Sequence, residues 1–279
     1  MSGLSAVVEQ PRAVIVALHG GASTAAYFDC PGHPELSLLR LGAELGYTVL
    51  ALDRPGYGSS APYADRTFDP VQRTALAYGA VDKMLGGRPR GAGLFLFAHS
   101  NGCELALRMA TDDTAECRVV GLELAGTGMH YDPFAQEILD RATETHRPPG
   151  LRALLWEPAQ FYPANVLTGI TNSSTGAPYE ATMVRDWPQT DFPALAARVR
   201  VPVHFSHAEH ERVWRSDPDA LAEIGDAFRA APRFVTDSVA DAGHNLSLGH
   251  SAETYHRTVL AFVDQCVAAG GPAAGLEAG

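Results

Sequence analysis

The pentapeptide Ala98-His99-Ser100-Asn101-Gly102 holds a serine in a setting that would make it a nucleophile. An apolar stretch, Leu94 to Ala98, precedes it, and a helical run, Cys103 to Ala110, follows, which predicts a serine at a sharp strand-to-helix turn. Such a turn brings the strand end and the helix start together, so the positions two residues to either side must be small, and Ala98 and Gly102 are small. The turn lifts the hydroxyl above a sheet, and the helix N-terminus favours negative charge forming beside it. A surface Ser-Asn-Gly turn would account for the pentapeptide by itself, but not for the strand before it and the helix after it.

A serine attacking a carbonyl needs donors for the oxyanion that forms, and the first apolar run ends in His19-Gly20-Gly21-Ala22, where glycines allow close approach of backbone to a ligand. The backbone N–H groups of Gly21 and Asn101 are the expected pair, with His19 and Gly20 beside the substrate; an ordinary glycine turn is the alternative. The loop Asp53-Arg54-Pro55-Gly56-Tyr57-Gly58-Ser59-Ser60 reads as structural, with Asp53 as a turn hydrogen-bonder rather than an acid in catalysis. A base is offered by His244, in a Gly-His-Asn loop after the run Phe234 to Val239. His250 and His256 are less well placed, and His99 is expected to pack behind the serine. His204, His207 and His210 gather with Glu209 and Glu211, but they run from a strand into a turn without His-Glu-x-x-His spacing, so no metal is expected. Cys103 reads as a small buried helix residue rather than a reactive thiol.

These groups need a scaffold. Short apolar runs recur at Ala13 to Leu18, Tyr47 to Leu52, Leu94 to Ala98, Val119 to Leu124, Val201 to Phe205 and Phe234 to Val239. Helical periodicity at Leu36 to Leu45, Val71 to Leu85 and Glu104 to Ala110 alternates with them, which predicts an α/β fold with a mostly parallel sheet covered by helices on both faces. From Met129 to about Arg200 the alternation stops, and Trp156, Phe161, Tyr162 and Trp187 stand among many prolines. That stretch is expected to be a lid or cap inserted in the core, 129–200 between 1–128 and 201–279, with those four aromatics meeting substrate; a peripheral aromatic cluster packed for stability is the alternative. The Ala- and Gly-rich tail from Ala268 should fray.

Composition narrows the function. The 279 residues can bury a full core, and 46% hydrophobic against 19% charged residues is an ordinary globular balance. A formal charge of −11 with no Lys/Arg cluster argues against nucleic acid. No basic n-region opens the sequence, and the first apolar run is too short for a signal core or a membrane span, so no membrane association is expected. Four scattered cysteines without paired spacing suggest reduced thiols and a cytoplasmic setting. The partner expected is a small molecule; a homodimer stays open.

Four landmarks, in order, give the chain a family resemblance over nearly its whole length. His19-Gly20-Gly21, Asp53 to Ser60, Ala98 to Gly102 and Asp241-Ala242-Gly243-His244 resemble the oxyanion motif, the Asp-x-Pro-Gly-x-Gly-x-Ser loop, the nucleophile elbow and the catalytic-histidine loop of the α/β-hydrolase superfamily, in its serine-nucleophile branch. That resemblance implies the order nucleophile, acid, histidine. His207-Ala208-Glu209-His210-Glu211-Arg212-Val213 then resembles the family's Gly-x-x-Asp-x-Val turn, which makes Glu211 the implied acid and Glu209 the reserve. Ala98 and Ala208 stand where the family has Gly, and Glu211 where it has Asp. The implied chemistry is hydrolysis of an ester or thioester with a sizeable apolar part, without a cofactor. Non-hydrolytic chemistry on a natural-product intermediate (cyclisation, acyl transfer or carbon–carbon bond chemistry) and a catalytically silent binding protein are the rivals.

Overall fold

Strands buried on both faces show continuous apolar runs, and the sheet at the centre of this protein is built from such runs. A computed structural model describes residues 1–66, 69–141, 148–169 and 174–270. In chain order the elements are β1 (Gly3–Ala6), β2 (Val14–Leu18), α1 (Leu38–Glu44), β3 (Thr48–Leu52), α2 (Pro70–Leu85), β4 (Leu94–His99), α3 (Gly102–Ala110) and β5 (Val119–Ala125). A helical stretch follows, with α4 (Pro133–Leu139), α5 (Leu151–Trp156), α6 (Ala164–Gly169), α7 (Glu180–Asp186) and α8 (Phe192–Ala196). The chain then completes the sheet through β6 (Val203–Ala208), α9 (Pro218–Ala227), β7 (Phe234–Val239) and α10 (Ala252–Gly270).

The seven strands lie in the order β1-β3-β2-β4-β5-β6-β7. Only β1 is antiparallel, pairing with β3 at the sheet edge; the others are parallel to their neighbours. Side chains alternate between the two faces. Ile15, Phe95 and Phe97 pack with residues of α1 and α10 on one side. Val16, Leu96 and Leu122 pack with α2 and α3 on the other. The observed architecture is thus the α/β fold with a mostly parallel sheet.

This order positions the site. From β2 the chain turns to β3 on one side, and β4 lies on the other, so the loops after β2 and β4 diverge over a crevice at the carboxyl ends of the strands. In open α/β sheets ligands bind at such a switch point. Ala98 is paired with Leu18 and with Leu124, so the ends of β2, β4 and β5 are level and their loops open on one rim.

Two of the differences from the expected boundaries lie at β6 and at the C-terminus. β6 starts at Val203 and continues to Ala208 rather than ending at Phe205, because His204 and Ser206, polar residues within it, are buried and hydrogen-bonded. Where no strand was expected, between β5 and β6, the described residues form helices and no strand. At the C-terminus α10 carries the chain in helix to Gly270, past Ala268; the rest of the expected frayed tail, 271–279, lies outside the described residues.

Candidate active site

Ser100 follows β4 directly and has φ +51°, in the left-handed region that side-chain-bearing residues adopt only when the surroundings impose it, at a cost of about 1–3 kcal/mol. The turn is held by Ser100 N donating to Ala125 O at 2.8 Å and Cys103 N donating to Ser100 O at 2.9 Å. Its tightness explains Gly102: a Cβ there would sit 2.2 Å from the Leu18 carbonyl oxygen, so no larger residue lets α3 start so close to β2. Cys103 is fully buried on α3, where desolvation pushes its thiol well above the ordinary range and leaves it unreactive.

His244 is buried in the loop after β7, and its Nδ1 lies 3.0 Å from both Oε1 and Oε2 of Glu211. Glu211 Oε1 also accepts from Arg212 N (3.0 Å) and Val213 N (2.9 Å). Burial by itself would raise the Glu211 carboxyl, but His244 and these two amides outweigh it and hold the group below its usual range, as a carboxylate. Glu209 is engaged elsewhere, accepting from Asp241 N at 2.9 Å. With Nδ1 on Glu211, the His244 nitrogen left for other work is Nε2. Neither Nε2 nor the Ser100 hydroxyl is hydrogen-bonded to any described residue, and both residues line one cavity.

His99, beside the serine, supports His244 from behind. Its ring stacks on Tyr27 at 4.6 Å, and Nε2 lies 2.8 Å from the His244 carbonyl oxygen, which requires that nitrogen to carry the proton. Desolvation, with His244 close by, lowers its pKa well below the ordinary histidine value, so it is neutral. Gly126, at the end of β5 with φ +62°, leaves room for this pair: a Cβ there would lie 2.8 Å from His99 Nε2 and 3.1 Å from His244 Cε1.

Across the crevice, the amides of Gly21 and Asn101 donate to no described residue, while the neighbouring Ala22 N donates to the Tyr57 hydroxyl at 3.0 Å. The loop that carries Gly21 is braced underneath. Arg54, fully buried, donates to Gly20 O (3.0 Å) and the Tyr179 hydroxyl (3.1 Å) and pairs with the Glu180 carboxylate. Tyr57 donates to the other Glu180 oxygen, at 2.5 Å. His19 belongs to this bracing, with Nδ1 2.7 Å from Gly20 O and Nε2 accepting from Arg54 N at 3.2 Å. Asp53 accepts from Ala25 N (2.8 Å) and from the Ser2 hydroxyl (2.6 Å).

The cavity measures about 390 Å³, within the range of small-molecule sites. Its floor is Ser100, Asn101, His244, Gly20 and Gly21, and much of its wall is apolar, from Tyr131, Leu151, Leu155, Trp156, Val184 and Trp214. Of the four aromatics expected to meet substrate, Trp156 lines it. Trp187 instead walls a small niche beside Ser100 and donates from Nε1 to the Thr127 hydroxyl at 2.9 Å. Tyr162 and Phe161 are absent from the lining, as is His19: the Tyr162 hydroxyl accepts from Asn245 N at 3.1 Å and its ring packs edge-on against Trp156, and Phe161 lies against His210. Tyr131, Val184, Trp214 and Glu180 were not singled out in the sequence, since nothing in their local pattern distinguishes them from core residues. The clustered His204 sits within the sheet, bonded to Glu123 and Asp237 on neighbouring strands.

The model of the alpha/beta hydrolase family matches residues 15–257. The chain belongs to the α/β-hydrolase family. Comparison with curated proteins finds no match. Among solved structures it is similar to MenH from S. aureus (TM-score 0.64, 18% identity, covering 95% of this chain and 98% of that one). It is also similar to the monoacylglycerol lipase of Paleococcus ferrophilus (TM-score 0.58, 20% identity, 96% and 99%). A third likeness is to the proline iminopeptidase of Mycobacterium smegmatis (TM-score 0.63, 17% identity, 96% and 95%). At these identities the α/β-hydrolase likenesses bear on the fold alone. No described helix is long and apolar enough to cross a membrane.

Proposed function

We propose that this α/β hydrolase is a serine hydrolase for an ester or thioester with a sizeable apolar or aromatic part, with the β5–β6 segment, 129–200, as its cap over a core of 1–128 and 201–279. The observation that carries this reading is the joint opening of Ser100, His244 and the unbonded Gly21 and Asn101 amides on one largely apolar cavity, with a carboxylate behind the histidine. Rotation of the Ser100 side chain onto His244 Nε2 lets the imidazole take the hydroxyl proton as Oγ attacks the carbonyl carbon. The Glu211 carboxylate stabilises the imidazolium and fixes its tautomer. The two amides receive the tetrahedral oxyanion. The proton then passes from His244 to the leaving oxygen or sulfur, and water releases the acyl group by the same steps in reverse order. The apolar wall supports a hydrophobic acyl or alcohol part.

Turnover of p-nitrophenyl esters of increasing acyl length tests this. The wild type is expected to release p-nitrophenol and free acid, and Ser100→Ala to lose at least about 10³-fold in kcat with an unchanged circular-dichroism spectrum. Full activity in Ser100→Ala would remove the mechanism. Consumption of ester without free acid would move the reading to transfer chemistry.

A further inference from the structure

Ser100 also borders a second, much smaller space. This niche has a volume of about 10 Å³, room for one oxygen atom, and shares Ser100, Asn101, Tyr131, Val184 and Trp214 with the main cavity. Two of its walls carry buried polar atoms with no hydrogen-bond partner among the described residues, Oε2 of Glu104 and Nε1 of Trp214. Buried polar atoms are seldom left so, because each costs about 1–3 kcal/mol when unsatisfied. Glu104 is nearly fully buried on α3, and the guanidiniums of Arg73 and Arg108 both engage its other oxygen, Oε1. A third wall, Thr127, accepts on its hydroxyl oxygen from Trp187 Nε1 at 2.9 Å, which leaves the hydroxyl hydrogen to be donated.

The residues that line the niche therefore carry an unengaged acceptor, on Glu104, and donors, on Trp214 and Thr127, beside a space for one oxygen. A carbonyl could not satisfy the carboxylate, and an ammonium could not satisfy the indole N–H. A hydroxyl does both, giving its hydrogen to a carboxylate and accepting from N–H and O–H. We propose that this niche is a hydroxyl-binding site beside the nucleophile, which takes either a water molecule or a hydroxyl group of the substrate. The substrate arm rests on the serine-hydrolase reading; the site itself does not. When the source is the substrate, the enzyme acts on hydroxy-substituted esters in which the hydroxyl lies close to the ester group, because the niche and the attack point share Ser100.

Two measurements test it. A high-resolution crystal structure of the wild type is expected to show one oxygen within hydrogen-bond distance of both Glu104 Oε2 and Trp214 Nε1, and that oxygen should be lost or displaced in Trp214→Phe, which keeps the ring and removes the donor. The second compares kcat/KM for the phenyl esters of butanoic, 2-hydroxybutanoic and 3-hydroxybutanoic acid. A preference of about 10-fold or more for one hydroxy ester, collapsing in Trp214→Phe, identifies the substrate as the source. Equal rates with an ordered oxygen identify water. Using the ratio within each variant removes general losses of folding or activity. No oxygen in the niche together with equal rates overturns the proposal while leaving ester turnover, and the serine mechanism, in place. Absence of all turnover strikes the mechanism instead, and the crystal structure still decides the niche.

Discussion

At the scale of single residues, the surroundings of Glu211 decide how His244 is held. A glutamate has one methylene more than the aspartate usual at this place, and here the turn after β6 sets it so that both oxygens reach His244 Nδ1 while the backbone of Arg212 and Val213 fixes the carboxylate. On the proposed mechanism Glu211→Gln removes the charge that stabilises the imidazolium and should lower kcat about 10³-fold or more with little change in KM. Glu209→Gln should stay within a few-fold of wild type, because Glu209 bonds a loop amide and not the imidazole. The opposite ranking in a steady-state assay would transfer the role to Glu209. Ser100 and His244 could be singled out in the sequence since their setting is local: a strand, a turn and a helix for one, a strand and a glycine loop for the other. Trp214, Tyr131 and Val184 could not, because they meet the site only through packing of segments far apart in the chain.

At the scale of elements, apolar runs located six strands, since a strand covered on both faces announces itself by composition. β1 was missed: its four residues, Gly3–Ala6, are half-exposed at the sheet edge and form no apolar run. The carboxyl ends of β4 and β6 were read short because polar residues occupy them, and these are the ends that face or brace the site. β6 shows the consequence. His204 is clamped between Glu123 on β5 and Asp237 on β7, with the Tyr255 hydroxyl of α10 donating to Glu123 at 2.9 Å. Burial opposes charge on His204, but the Glu123 carboxylate and the bond to Asp237 outweigh it and raise its pKa to about 9. A folded-state pKa above the unfolded value stabilises the fold at low pH. The contribution should be complete below the ordinary histidine pKa of about 6.5 and fade as pH rises through about 9. Melting temperature should accordingly fall between pH 6 and pH 9.5 in the wild type, and fall less steeply in His204→Gln. Parallel slopes in differential scanning calorimetry would contradict this role for the cluster.

At the scale of the whole molecule, the β5–β6 segment is tied to the rest of the chain by buried and half-buried polar contacts. Arg54 and Tyr57 hold Glu180, Arg108 pairs with Asp191 at 2.8 Å, and Trp187 donates to Thr127. Arg54→Leu leaves the Glu180 carboxylate buried without its counter-ion and should cost about 3–5 kcal/mol in urea unfolding. The double variant Arg54→Leu/Glu180→Leu should recover much of that loss, because neither charge then remains to be desolvated. A double-variant loss equal to the sum of the separate Arg54→Leu and Glu180→Leu losses would mean that the pair is not coupled. The fold's main consequence is that the loops after β2, β4 and β7, remote in sequence, bring Gly21, Ser100 and His244 to one cavity, with Glu211 of the loop after β6 behind His244, which is the convergence the proposed mechanism needs. That convergence is tested most directly by labelling the protein with an alkyl fluorophosphonate and mapping the adduct by peptide mass spectrometry. The account predicts one adduct, on Ser100, absent from Ser100→Ala and formed at least about 10²-fold more slowly in His244→Gln. No adduct on Ser100, or labelling that is indifferent to His244, would contradict it.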